Sequence, residues 1–193
     1  MVIFVELKGE KTAMQISEPA EYALLGLLKS QPMHGYELFA HFEGGALAQI
    51  VHLEMSQMYA FLKKLERLKF IEAEIEPQGS RPPRKIFHLT DEGSTVLLQW
   101  LTQPVEKPRD IRIFFLIKLY FVQRFLPAQT TMLIEQQVNA CQRFLEHLES
   151  QQYQRARADD EAFFDHVVLR SRIYQTRALL EWLRELKEAP LHV

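Results

Sequence analysis

Apolar residues recur at helical spacing through the first third of the chain. Ala20, Ala23, Leu24, Leu27 and Leu28 predict a helix from about Pro19 to Ser30 with one buried face, Ser17 as N-cap and Pro19 in the first turn. Pro32 stops it. A second helix is expected from near His34 to just before Gly44-Gly45, with Tyr36, Leu38, Phe39 and Phe42 as its apolar positions. A third begins near Ser56, a suitable N-cap, and carries Met58, Tyr59, Leu62, Leu65 and Leu68 at helical spacing. The period then changes. Ile71, Ala73 and Ile75 alternate with Glu72, Glu74 and Glu76, the signature of a half-buried strand. Residues Pro77 to Pro83 form a turn-rich loop, and Lys85 to Leu89 reads as the return strand. Thr90 or Asp91 caps a fourth helix running to about Thr102.

Pro104 and Pro108 mark a short linker, beyond which the pattern is helical. Ile111 to Leu126 is apolar almost all round and therefore expected at the centre of its surroundings. Thr130 to Glu149 is amphipathic through Leu133, Val138, Cys141, Leu145 and Leu148, and Gln151 to Asp160 is polar. A long helix from about Asp160 to Lys187 is expected to bury Phe163, Phe164, Val167, Ile173, Leu179, Trp182 and Leu186 in part, and its length suits dimerisation. The fold class that follows is mainly α with a small β-hairpin. Three helices, a hairpin and a fourth helix are the order of a winged helix-turn-helix, here followed by a helical dimerisation domain. The divisions fall at residues 1–18 for an N-terminal arm, 19–103 for the winged unit and 104–193 for the helical domain. Met1 to Ala13 is either an added arm or the product of an upstream start. As an arm, Val2 to Val5 would pair or pack across a dimer.

Composition narrows the function classes. The chain has 193 residues, 47% hydrophobic and 25% charged, enough for a core without staples and unlike a disordered chain. One cysteine, Cys141, excludes a disulfide framework and a cysteine zinc cluster within a single chain and suits the reducing cytoplasm. The net charge of −2 argues against a binder of nucleic acid by bulk charge, but leaves room for one local basic surface. Ile111 to Leu126 carries Arg112, Lys118 and Arg124 and is too short to span a bilayer comfortably, so no membrane partner is expected. Met1 to Val5 is apolar but short, lacks basic residues and is interrupted by Glu6, unlike a signal peptide.

Four blocks in register carry a family resemblance. They are Ala23-Leu24-Leu25-Gly26-Leu27-Leu28 with Pro32-Met33-His34-Gly35-Tyr36-Glu37-Leu38, then Met58 to Glu66, then Arg81 to Gly93, then Gln99-Trp100-Leu101. Over roughly residues 20 to 102 the chain resembles the PadR-type transcriptional regulators. Beyond that, with Lys118-Leu119-Tyr120-Phe121 as the best local match, it is similar to the subfamily with a larger helical C-terminal domain. Two positions depart from the family pattern. Ser56-Gln57-Met58 precedes Tyr59 where a small residue or glycine is common, and Lys69 stands where glycine often follows the third helix.

The resemblance implies a dimeric DNA-binding repressor. In a helix-turn-helix the second helix of the pair enters the major groove, N-terminal residues first. Ser56, Gln57 and Tyr59 would then face DNA. Gln57 can pair in bidentate fashion with adenine, whereas Ser56 and Tyr59 suit phosphate oxygens. Lys63 and Lys64 supply backbone charge, and Arg81, Arg84 and Lys85 surround a stiff Pro82-Pro83 in the wing. From Lys63 to Lys85 there are seven basic residues against four acidic ones, a modest local excess. His34 and Tyr36 open the second helix, where they either touch phosphate or serve packing and capping. Tyr59 is likewise open between DNA contact and core, and Glu72, Glu74 and Glu76 read as a solvated strand face.

Trp100 occupies the place where some similar regulators stack planar ligands between subunits; the ordinary reading is a core or interface aromatic. Phe114, Phe115, Tyr120, Phe121 and Phe125 either line an effector pocket or fill the core. No phosphate-binding glycine loop and no nucleophile–histidine setting is present, so no enzyme activity, catalytic residue or cofactor is expected. The seven histidines lack metal-ligand spacing. The expected partners are a double-stranded DNA operator, a second copy of the chain and a small-molecule effector. The competing class is a winged-helix protein-interaction module with little DNA affinity.

Overall fold

The computed structural model describes residues 16–78, 81–158 and 163–188. The expected arm at Met1 to Ala13 and the expected helix start near Asp160 lie outside them. Two compact units form. Of the described residues, one comprises those up to Leu101 together with Leu116–Phe121, and the other Thr102–Phe115 and those from Val122 on.

The first unit is built around helix α1 (Pro19–Ser30). Every residue from Ala20 to Leu28 is buried, so α1 is surrounded rather than packed on the single face its spacing predicts. Its N-cap is Glu18, one residue later than the expected Ser17. The cause is Glu21, whose Oε2 accepts the backbone N–H groups of both Ser17 (3.0 Å) and Glu18 (3.1 Å). On another side of α1, Gly26 has no Cβ because the Phe121 ring lies directly against it.

A short strand β1 (Met33–His34) follows, then α2 (Gly35–Glu43), α3 (Ala46–Ile50) and α4 (Met55–Arg67). Neither β1, of two residues, nor α3, of five, is legible from hydrophobic period, because each is too short for its pattern to recur. The hairpin β2 (Ile71–Gln78) and β3 (Arg81–Leu89) joins β1 in a three-stranded antiparallel sheet of order β1-β3-β2. Met33 pairs with Phe87 and His34 with Ile86. The expected loop at Pro77 to Pro83 is mostly strand. Glu76 pairs with Arg84 and Gln78 with Arg81, so Pro77 alone stands opposite Pro82-Pro83 as a bulge. Prolines are tolerated there because the outer hairpin has open edges. Ile75, on the face expected to be buried, is 63% exposed, since no described residue covers this outer half.

α4 ends in a Schellman motif. The Phe70 N–H reaches the Leu65 carbonyl and the Lys69 N–H the Glu66 carbonyl, each at 3.0 Å, with Lys69 in the left-handed region at φ 60°. Helix α5 (Asp91–Leu101) is capped by Thr90, whose Oγ1 accepts the Gly93 N–H (3.0 Å) and donates to the Lys69 carbonyl (2.8 Å). The Phe70 carbonyl sits where a Cβ on residue 93 would be, so only glycine fits.

Helix α6 (Pro108–Phe125) contributes Leu116–Phe121 to the first unit. In the second unit, a one-turn 3-10 helix (Pro127–Gln129) leads to α7 (Thr130–Ala158) and α8 (Phe163–Glu188). The pair runs antiparallel, shown by Lys187 on Glu135 (2.9 Å) and Arg177 on Glu149 (2.6 Å). The polar stretch from Gln151 continues α7 to Ala158. Gln137 is fully buried and binds both backbone groups of Val105, accepting its N–H at 2.7 Å and donating to its carbonyl at 2.9 Å. The buried line of α8 is Leu169, Ile173, Thr176, Leu180 and Leu183. Phe163, Phe164 and Val167, expected to be partly buried, are instead exposed, at 82%, 71% and 41%. They lie before the stretch of α8 that packs on α7 in the single chain.

Candidate nucleic-acid interface

α4 buries Met58, Leu62 and Leu65 and leaves Ser56, Gln57, Tyr59, Ala60, Lys63 and Arg67 exposed. Its N-cap is Glu54 rather than Ser56, and the Gln57 Oε1 accepts the Glu54 N–H at 3.2 Å. The expected base-reading amide is thus part of the helix cap, with one lone pair of its Oε1 on the Glu54 N–H and its NH2 group outside that bond. Ser56 sits within the first turn, exposed. The tyrosine left open between core and surface is 47% exposed, with its hydroxyl over Gly35 at the start of α2. A Cβ at residue 35 would come within 2.5 Å of that hydroxyl.

Gly35 joins this helix to the wing. His34, the N-cap of α2, receives the Glu37 carboxylate on its backbone N–H at 2.7 Å. Its Nδ1 lies 3.0 Å from the Lys85 carbonyl and its Nε2 3.3 Å from Glu76. The His34 ring stacks beside Tyr36, centroids 5.7 Å apart, and the Arg84 guanidinium lies 5.3 Å from the Tyr36 centroid. Tyr59, Gly35, Tyr36 and Arg84 therefore run without a break from α4 to β3. Arg81 is placed at the hairpin tip by its backbone pairing with Gln78.

The basic residues divide into two sets. Lys64 is held by Glu21 of α1 at 2.7 Å, and Lys85 by Glu66 at 3.5 Å. Lys63, Arg67, Lys69 and Arg84 are exposed and form no ion pair among the described residues. Two of the three strand glutamates are not merely solvated: Glu74 pairs with His88 (3.5 Å) and Glu76 with His34. Among the described residues, no group of His, Cys, Asp or Glu has a metal-holding arrangement, and no helix is long and apolar enough to cross a membrane.

Comparisons with known proteins cover both halves. The family model of the transcriptional regulator PadR-like family matches residues 24–99, and that of the virulence activator alpha C-terminal family matches residues 111–189. Over residues 24–99 the chain is therefore similar to the PadR-like transcriptional regulators. Among its relatives is the negative transcriptional regulator PadR of Bacillus subtilis, 28% identical over 173 residues, which span 86% of this chain and 94% of that protein. A crystal structure of Bacillus subtilis PadR with operator DNA aligns over 88% of this chain and 98% of that one, at 26% identity and a TM-score of 0.45. Another, with p-coumaric acid, aligns over 88% and 97%, at 25% identity and a TM-score of 0.41.

Trp100 is adjoined by the ring and the cation that pack on it and is 8% exposed. Tyr22 stacks on one face, with centroids 3.9 Å apart and planes within 6°. The Lys118 ammonium lies 3.8 Å from the indole centroid and donates to the Trp100 carbonyl. Burial holds the Lys118 pKa down to about 7 and pushes that of Tyr22 up to about 12, with the Glu21 carboxylate adding to the rise of Tyr22. Of the other aromatics singled out, Phe115 and Phe121 are fully buried. Glu21 and Lys118 escape a reading by period. Their one signal is a charge inside an otherwise apolar helical run.

Proposed function

We propose that this regulator binds a near-palindromic operator in double-stranded DNA as a homodimer, represses transcription from it, and is released by a small-molecule effector. The observation that carries the reading is the continuous Tyr59–Gly35–Tyr36–Arg84 surface between α4 and the wing, flanked by exposed Lys63, Arg67 and Lys69. α4 enters the major groove, with Gln57 reading a base edge and Ser56 and Tyr59 on phosphate. Lys63 contributes backbone charge, and Arg81, Arg84 and Lys85 reach the flanking backbone or minor groove. His34 and Tyr36 hold the wing against α2. The start of α8, with Phe163, Phe164, Val167 and Val168 between 41% and 82% exposed, is covered by the second copy. The named Bacillus subtilis relative, a negative regulator with structures holding operator DNA and p-coumaric acid, supports repression and an effector. Trp100 takes part in effector binding only if Tyr22 or Lys118 moves off its ring. The protein works in the cytoplasm and divides into residues 1–18, 19–103 and 104–193, as its sequence suggests.

Selection of genomic fragments by the purified protein, followed by titration of the recovered site, tests this. The expected result is saturable binding to one symmetric site, weakened at least tenfold by Lys63→Glu or Arg84→Glu. Binding no tighter than to random DNA, unchanged by both substitutions, overturns it. That result favours the interaction module, a reading supported by the engagement of Lys64 and Lys85 with carboxylates.

A further inference from the structure

Lys63 and Lys64 are adjacent on α4, yet they face different surroundings. Lys63 is exposed, whereas the Lys64 side chain is 26% exposed and turns towards α1. There its ammonium sits 2.9 Å from Oε2 and 2.7 Å from Oε1 of Glu21, whose side chain is wholly buried. The same Oε2 accepts the N–H groups of Ser17 and Glu18. One carboxylate thus closes the N-terminus of α1 and grips the last turn of α4. A buried carboxylate stripped of its cation is costly, so α4 is held wherever Lys64 can reach Glu21.

We infer that Glu21, acting through Lys64, is a positioning residue for DNA recognition, and that Lys64 fixes the seat of α4 rather than neutralising a phosphate. The inference rests on the proposed DNA-binding role of α4, and it reassigns one of that role's residues. Its consequence has a sign. If Lys64 served phosphate, releasing it from Glu21 would leave affinity unchanged or raise it. If the pair seats α4, releasing it weakens binding although the protein gains a free cation. Lys64 is the one α4 cation that a buried carboxylate holds, which separates it from Lys63 and Arg67 on the same helix.

The test compares wild type with Glu21→Gln, Lys64→Met, the double variant, Lys64→Arg and Lys63→Ala. Glu21→Gln keeps the shape and an acceptor for the two N–H groups, and Lys64→Arg keeps the pair. Amide hydrogen exchange on the free proteins comes first. Glu21→Gln and Lys64→Met are expected to speed exchange along α4 by at least tenfold while β2, β3 and α7 keep wild-type rates, with Lys64→Arg near wild type. Affinity for the selected operator fragment follows, titrated over salt. Glu21→Gln and Lys64→Met should each weaken binding at least fivefold, and the double variant should be no worse than the weaker single. Both should retain the wild-type salt slope, while Lys63→Ala lowers it by about one per protomer. Wild-type exchange in α4, or tighter binding by Glu21→Gln, overturns the inference. Faster exchange confined to α4 in a protein that selects no DNA fragment upholds the pair as the seat of α4 and overturns its place in DNA recognition.

Discussion

α1 buries almost its whole circumference, Glu21 included, whereas α8 leaves Phe163, Phe164, Val167 and Val168 in solvent. The contrast teaches which part of this regulator is complete in one chain. In the first unit each constraint finds its answer locally. Glu21 takes Lys64 and two N–H groups, Gly93 takes the Phe70 carbonyl, and Gly26 takes the Phe121 ring. In the second unit the line from Leu169 to Leu183 is satisfied by α7, while the first two turns of α8 remain apolar and uncovered. Apolar area of that kind is costly in water and marks an association surface.

The contrast breaks most visibly at the start of α8. Replacing Phe163 and Phe164 together by serine should weaken self-association at least a hundredfold in analytical ultracentrifugation, with helix content by circular dichroism unchanged. If the dimer persists, these residues are not what the second copy covers. In the first unit Gly93→Ala should remove about 2 kcal/mol of stability in chemical denaturation, because backbone at Phe70 cannot yield as a side-chain tip can. A change under a few tenths of a kcal/mol would show that the α5 N-terminus is looser than its contacts indicate.

Lys118 sharpens the comparison, since it is the one cation the first unit buries without a carboxylate among the described residues. Its pKa falls from an ordinary 10.5 to about 7 on folding. Between those values the unfolded chain holds a proton that the folded chain has released, so this group's contribution to stability rises with pH across the window. Below it, the charged amine is buried at full cost. Lys118→Met should therefore be more stable than wild type by about 1–2 kcal/mol near pH 6, with the advantage shrinking towards pH 9. Melting temperatures of both proteins across that range check the prediction, and a difference independent of pH contradicts it. The smallest effect is at Lys69, where φ 60° suits glycine: Lys69→Gly should add about 0.5–1 kcal/mol to unfolding stability measured in urea.

Much of this molecule could be read from the order of its residues. The helices beginning at Pro19, near His34 and near Ser56, the hairpin and its glutamate alternation, and the last long helix follow from period and from Pro and Gly breaks. The blocks from Ala23 to Leu101 also carry the family resemblance that the family match bears out. Period failed where an element is too short for its pattern to recur, as at β1 and α3. It also failed where a side chain's role depends on something distant in sequence. Lys64 looks like Lys63 until α1 supplies Glu21, 43 residues earlier. Ser17 and Ser56 are good caps by composition. Ser17 lost the position by one residue and Ser56 by two, because Glu21 and Gln57 reach back to the N–H groups of Glu18 and Glu54. Ile75 follows the alternation of a half-buried strand, but no described residue folds over it.

The central claim is that DNA is bound through the exposed face of α4 and the wing. Its most direct test is the salt dependence of affinity for the selected operator fragment, measured for wild type and for Lys63→Ala. The account predicts a steep linear fall of log affinity with log salt. It also predicts a slope shallower by about two per dimer in the variant, since each copy loses one phosphate contact. Equal slopes and equal affinities for the two proteins would contradict it, leaving α4 away from the DNA.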